Sequence, residues 1–233
     1  MNDRLNGLVL SLNDYHENDV MMKVLTKEYG ILSFVGKAAK KLSGKNHFFA
    51  LCLYEFIIDY KEGKAIYTVH SHKLLKDYFS DSPIDLLSFK NILLELTIKN
   101  SDIDTYEELL FVLDHIDNKN KYLLGSIYVS YLMKQFGVAP MVDHCVFCDN
   151  PKVVAVSSRH GGFLCLDHLQ GEANLPAERL KHFRILSRAD RSKYDLLKEL
   201  DFDLADFTLL LDFFLANSDI QLKTYQFYKT LYA

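Results

Sequence analysis

The chain has 233 residues, 49% of them apolar and 25% charged, with 10 Gly and 4 Pro. That balance is globular: it excludes a disordered, collagen-like or low-complexity chain and, at roughly 100–200 residues per domain, fits one large domain or two modest ones. A formal net charge of −4 excludes a histone-like polycation, though not a local basic patch. The sequence has no apolar run of the roughly 18 residues that a membrane-spanning helix needs.

Residues 1–7 lack the basic-then-apolar form of a secretory signal, so the expected location is cytoplasmic. In that setting the four Cys are expected to be reduced, and a closely spaced pair points to metal binding or redox chemistry before a structural disulfide. Charge is uneven along the chain. Residues 1–80 carry 11 Lys and Arg against 9 acids, and residues 81–233 carry 16 against 22. The change falls at Ser80-Asp81-Ser82-Pro83, a turn-forming cluster, and places a domain boundary there.

In chain order, Leu8–Leu12, Val20–Thr26, Ile31–Val35 and Leu51–Tyr60 read as β-strands, with Glu28-Tyr29-Gly30 as a turn. Lys61–Lys64 reads as a hairpin turn from which Ala65–His70 returns as a fifth strand. Five short strands within about 70 residues fit a small OB-type barrel. The strand count alone fits an SH3-like barrel equally well. After Pro83 the spacing becomes helical. Ser82 is placed to cap the first helix, and Thr105 and Glu108 have capping-box spacing for the next. A helix over Tyr122–Phe136 should end at Gly137. Residues 141–170 interrupt the helical pattern, which returns after Pro176 and dominates Leu204–Tyr232. The expected fold class is therefore α+β: an N-terminal β-barrel over residues 1–80, then a mostly α-helical domain over 81–233 with an inserted element at about 141–170.

That element holds the sharpest chemical signal. Cys145-Val146-Phe147-Cys148 is followed, after sixteen residues, by Cys165-Leu166-Asp167-His168. A two-residue gap lets one knuckle aim both ligands inward, and two knuckles joined by a hairpin close a tetrahedral Zn²⁺ site. Val153–Val156, a turn at Arg159–Gly162 and Phe163-Leu164 supply such a hairpin. His168 completes the second gap, with His144 and His160 as alternative fourth ligands. Four protein ligands leave no open position, so the expected zinc is structural. Cys52, alone in an apolar strand, reads as core. The chain contains no His-x-Glu, His-Glu-x-x-His, Gly-x-Ser-x-Gly or phosphate-loop motif, and no enzymatic activity is expected.

No acid lies between Tyr29 and Tyr54, and the same window carries Lys37, Lys40, Lys41 and Lys45. A basic loop on a small barrel can track a phosphodiester backbone; the plain alternative is a solvated loop. Phe34, Phe48 and Phe49 read as barrel core ahead of a stacking platform. A second basic run, Arg179 to Lys193, fits a solvated helix face, a nucleic-acid surface or a contact for an acidic partner.

The order of these features resembles the RecO family of bacterial recombination mediators, in its zinc-containing form. Residues 10–19 are similar to the family's opening strand and loop, and Thr26–Gly30 to its Thr-x-x-x-Gly turn. Gly36–Lys41 is similar to a glycine-plus-basic segment in which the family usually carries Arg; here every cation is Lys, which keeps the charge without the bidentate fork. Phe136–Pro140 before Cys145-x-x-Cys148, and Gly161–Cys165, resemble the zinc-containing members, whose fourth ligand is commonly Cys where this chain has His168. Leu222-Lys223-Thr224 is similar to a Leu-Lys-Ser on the family's last helix. The resemblance implies an OB-fold DNA-binding domain at 1–80 and a helical domain with an inserted zinc element. It also implies binding of single- and double-stranded DNA, annealing of complementary strands, and cooperation with RecR and single-stranded DNA-binding protein in loading RecA. The competing expectation is a zinc-containing protein-interaction scaffold with incidental DNA contact.

Overall fold

The computed structural model describes residues 3–41 and 47–232, which fall into two compact units, Met1–Leu113 and Asp114–Ala233. The first is built on a six-stranded sheet in the order β5-β3-β2-β1-β4-β6. Its strands are β1 (Asp3–Tyr15), β2 (Asp19–Thr26), β3 (Gly30–Gly36), β4 (Cys52–Ile58), β5 (Tyr67–Thr68) and β6 (Ser71–Asp77). β1 pairs antiparallel with both β2 and β4. The residues after β4 do not form one return strand over 65–70. The two-residue β5 pairs parallel to β3, and β6 carries the antiparallel pairing with β4. Between them the Val69 amide donates to the Val35 carbonyl and the His70 amide to the Ile57 carbonyl. The chain therefore bridges β3 to β4 and closes the sheet into a barrel. β4 shows the period-2 pattern of a strand with one face in a core: Cys52, Tyr54, Phe56 and Ile58 are buried and the intervening residues only partly so. They meet Val9, Met22, Val24 and Phe34 inside the barrel.

Two helices complete this unit. α1 (Ile84–Lys99) packs on β1 through a broad apolar face that includes Phe89, Ile92, Leu93 and Leu96, and α2 is Tyr106–His115. Ser82 does not cap α1. Its hydroxyl donates to the Tyr78 carbonyl and accepts from the buried Lys90 ammonium, which also donates to that carbonyl at 2.9 Å. Satisfying a buried ammonium is worth more than one cap bond, because the unpaired charge would carry the full desolvation cost.

The second unit contains α3 (Lys121–Phe136), a hairpin of β7 (Val153–Ser157) and β8 (Gly162–Cys165), and then α4 (Ala177–Leu186), α5 (Tyr194–Leu197), α6 (Leu204–Ala216) and α7 (Lys223–Tyr232). Gly137 ends α3 in the left-handed region at φ 69°, and the Val138 amide closes back onto the Met133 carbonyl. α3, α4 and α6 pack together around Tyr128, Phe183, Phe207, Phe213 and Phe214. Among the described residues no helix is long and apolar enough to cross a membrane.

One polar network fixes the start of α6. Asp203 caps the helix, accepting from the Asp206 amide, and Asp206 returns the bond to the Asp203 amide. The Arg179 guanidinium reaches both Asp203 oxygens, at 2.6 and 3.0 Å, and also pairs with Asp206, whose other oxygen meets His182 Nδ1 at 2.8 Å. Arg179 holds the Asp203 carboxyl down at about 2. Since that carboxyl titrates lower folded than unfolded, its contribution is complete above about pH 4 and is lost as pH falls towards 2. Asp203→Ala is expected to cost about 1–2 kcal/mol in urea unfolding at pH 7. Asp203→Asn keeps a capping side chain, so its smaller deficit should vanish in unfolding series taken from pH 5 to pH 2.

Candidate metal centre and nucleic-acid interface

The element at 141–170 is a hairpin with a knuckle at each open end. The first knuckle is held by the Cys145 amide on the Asn150 carbonyl, the Cys148 amide on the Cys145 carbonyl and the Val146 amide on the Phe163 carbonyl. The second follows β8 directly, where Leu166–His168 forms one 3₁₀ turn. Cys145 and Cys165 are buried with Ala155 and Leu164, a core of only four buried residues. Such a core is too small to hold two knuckles by apolar burial alone.

The four side chains converge. His168 Nδ1 lies 3.5 Å from Cys145 Sγ, 3.5 Å from Cys148 Sγ and 3.2 Å from Cys165 Sγ, and the Cys148 and Cys165 sulfurs are 3.9 Å apart. All four ligand atoms lie within 4.8 Å of one another, and no disulfide joins the cysteines. A tetrahedral site with bonds of about 2.3 Å to sulfur and about 2.0 Å to nitrogen has edges of roughly 3.5–3.8 Å. The Cys₃His set has that size and donor chemistry and therefore fits zinc. Burial alone would push the Cys145 thiol up, but the amides of Cys165, Phe147 and Cys148 and the Cys165 thiol outweigh it and bring it to about 6. Those donors favour the thiolate that a metal requires. His144 turns its Nδ1 to the Cys145 carbonyl, and His160 meets Gln170 at 3.2 Å, so neither joins the cluster.

The basic run beginning at Arg179 ties this element to α4. Arg184 donates from Nε to the Val142 carbonyl at 2.6 Å and lies over the Phe163 ring, and Arg188 reaches Asp143 at 2.7 Å. Arg179 is held by Asp203 and Asp206, and Lys193 by Asp190 and the Arg188 carbonyl. Most of the run is therefore spent on contacts within its own unit.

The acid-free segment of the barrel is arranged differently. Lys37, Lys40 and Lys41 are exposed just beyond β3, and Lys45 lies outside the described residues. The Ala38 amide donates to Asp19 Oδ1 and the Lys40 amide to the Asn18 carbonyl, so the β1–β2 turn anchors the segment's first part. The Lys40 ammonium pairs with Asp14 at 2.9 Å. Of the three aromatics read as core, Phe34 and Phe48 are buried, but Phe49 is 55% exposed. Phe48 fills the space over Gly36, where a Cβ would meet its ring at 2.4 Å, and the following residue points outward. Its exposure comes from this packing and cannot be read from an apolar tripeptide pattern.

These features define a class: a small OB-type barrel with a basic segment at one end, joined to a helical unit that carries a four-ligand Cys and His cluster. Comparison with known proteins gives that class a family. The model described as Recombination protein O N terminal matches residues 1–78, and that described as Recombination protein O C terminal matches residues 91–217. Among similar curated proteins, the DNA repair protein RecO of Bacillus cytotoxicus is 24% identical over 183 residues, covering 73% of this chain and 72% of the relative. The DNA repair protein RecO of Exiguobacterium sibiricum is 27% identical over 178 residues, with 73% and 72% covered. That of Clostridium perfringens is 27% identical over 182 residues, with 68% and 69% covered. The chain belongs to the RecO family of DNA repair proteins.

Main-chain bonds also close the metal element on itself. Met141 bridges in parallel to Gly162; its amide donates to the Gly161 carbonyl and its carbonyl accepts from the Phe163 amide. A Cβ on Gly162 would lie 2.2 Å from the Met141 carbonyl oxygen, a backbone atom that cannot rotate aside. Gly162→Ala is expected to destabilise the protein by about 1–3 kcal/mol, read as a lower urea midpoint. Gly161→Ala, with nothing within 4 Å of its added carbon but φ at +75°, should cost only about 1 kcal/mol.

Proposed function

We propose that this protein is a non-enzymatic recombination mediator that binds DNA through its N-terminal barrel and anneals complementary strands. The observation that carries the reading is the acid-free stretch between Tyr29 and Tyr54 with its four Lys, of which Lys37, Lys40 and Lys41 stand at one end of an OB-type barrel and Lys45 lies outside the described residues. Annealing needs no bond broken. It needs two strands held close, their repulsion screened and their bases left free to pair. Lysine contacts to phosphate serve all three, because they neutralise charge without reading base edges. The modest excess of cations in residues 1–80 favours transient contact over irreversible coating. Family membership supports the further roles: binding of single- and double-stranded DNA, and cooperation with RecR and single-stranded DNA-binding protein in loading RecA.

In the helical unit Cys145, Cys148, Cys165 and His168 are the proposed holders of one structural Zn²⁺, which would cross-link the two knuckles. All four corners are protein side chains, so the site presents no open position for substrate. Protein purified without chelator should contain one zinc per chain by elemental analysis. Cys165→Ser should lose it and make residues 141–170 protease-sensitive, since structural zinc contributes about 10–16 kcal/mol of apparent binding energy in small modules. A metal-free wild type with an intact element would reject the zinc assignment.

Replacing Lys37, Lys40, Lys41 and Lys45 with Ala should weaken binding to every DNA sequence. It should also flatten the salt dependence by about 0.7 in log–log slope on single strands for each phosphate no longer neutralised. The same variant should anneal complementary oligonucleotides more slowly without ATP. If the wild-type protein pairs strands no faster than buffer at low salt while still binding RecR, the interaction-scaffold reading replaces this one.

A further inference from the structure

Phe49 and Phe79 stand side by side at the mouth of the barrel, 55% and 44% exposed, with ring planes 17° apart and centroids separated by 6.5 Å. Stacked bases in a strand rise about 3.4 Å, so the separation of these near-parallel rings is close to two stacking steps. Beside them opens a cavity of about 410 Å³, whose wall includes Tyr54, His72 and Leu74. That volume falls in the roughly 300–1,000 Å³ range of small-ligand pockets.

Both rings are held in place from the backbone. The Phe49 amide donates to the Tyr54 hydroxyl at 3.2 Å. The Phe79 amide donates to Asp77 Oδ1 at 2.7 Å, and the Ser80 amide and hydroxyl hold the same carboxylate at 3.0 and 2.5 Å. The acid in the cavity wall is thus turned onto its own turn. Burial raises the Tyr54 phenol far above its ordinary range and, with His47 nearby, lowers His72. Both groups are neutral at pH 7. An aromatic cleft whose one carboxylate, Asp77, is held by its own turn suits a base and offers no cation to a phosphate.

The strand register puts this cleft at the same end of the barrel as the basic segment. Gly36 ends β3 opposite Val20, Tyr15 faces Asp19 across the β1–β2 turn, and Cys52 at the start of β4 faces Asp77 at the end of β6. Residues 37–41, 47–51 and 77–80 therefore lie on one side of the barrel. Phe48 links them directly: it covers Gly36 and packs on His72 at 4.4 Å. A second aromatic group lies at the opposite end, where Tyr29 stacks on Tyr60 at 3.9 Å with no gap between rings, in loops that carry Glu28, Asp59 and Glu62.

From this convergence we propose that the Phe49–Phe79 cleft takes an unpaired nucleobase of single-stranded DNA while the Lys37–Lys41 segment engages the adjoining phosphates. The proposal rests on the DNA-binding reading above and adds to it a discrimination between single strands and duplex. A paired base is stacked inside its helix and cannot enter the cleft, whereas a thymidine in a single strand can.

The chain has no Trp, so Phe79→Trp introduces a single reporter. Titrating this full-length variant with an oligothymidine should quench the indole emission to a saturating level, and an equal length of duplex should leave it unchanged. Phe49→Ala and Phe79→Ala should each weaken oligothymidine binding roughly 5- to 100-fold. Duplex affinity and the salt slope should stay at wild-type values. Phe49→Leu with Phe79→Leu keeps apolar bulk without a stacking plane and should lose the same preference, with circular dichroism and urea midpoint unchanged. An unquenched indole while a labelled oligothymidine demonstrably binds overturns the cleft and leaves the basic segment as the DNA site. So does equal weakening on single strand and duplex. Failure of the wild-type protein to bind either DNA removes both this proposal and the reading beneath it.

Discussion

The barrel depends on a closure only a few residues long. β3 and β4 are not neighbours in the sheet, and residues 67–70 join them by bonding to Val35 on one side and Ile57 on the other. An open sheet would leave two edges of unpaired amides and carbonyls, which invite pairing with other chains. Closing it satisfies those groups and wraps Val9, Met22, Val24, Phe34, Tyr54 and Phe56 into one interior. It also fixes which connections share an end. The β1–β2 turn, the basic segment after β3 and the turn after β6 emerge together because of strand direction and register. A cation-rich segment and an aromatic cleft can then act on one ligand although some 30 residues separate Phe49 from Phe79.

In the helical unit the corresponding constraint is the Cys₃His cluster. Its local core is four buried residues, two of them ligands, so the knuckles rely on cross-linking for their shape. The Met141 bridge to β8 closes the element on itself, and its attachments to the rest of its unit are of another kind: Arg184 on the Val142 carbonyl and the Arg188–Asp143 pair. The exposed pair contributes about 0–1 kcal/mol, whereas the hydrogen bonds to backbone replace water on groups that the packing partly buries.

The cations illustrate how context divides one chemistry between two tasks. Arg179, Arg184, Arg188 and Lys193 sit among acids and carbonyls of their own unit and are largely satisfied there. Arg suits this role, because its planar fork pairs bidentately with Asp203. The barrel segment uses Lys in a window that carries no acid of its own; the Asp14 that pairs with Lys40 comes from β1. In the proposed DNA contact, point charges on flexible stems would hold a polyanion without fixing its register, as sequence-independent strand contact requires.

Most elements and the metal cluster were legible in the order of residues alone. Short apolar runs bounded by turns marked β1 to β4, helical spacing and Gly137 marked α3, and the two-residue gaps marked Cys145, Cys148, Cys165 and His168, because ligand spacing within a knuckle is a local property. What crossed between elements stayed hidden. The return from β4 was expected over 65–70, yet the pairing went to Ser71–Asp77 because barrel closure needed residues 67–70 as a bridge. Ser82 looked like a cap, but a buried ammonium twelve residues beyond Tyr78 claimed its hydroxyl. Phe49 resembled Phe48 in every local respect. Packing in three dimensions separated them: one fills the barrel and the other faces solvent, because the space over Gly36 admits a single ring.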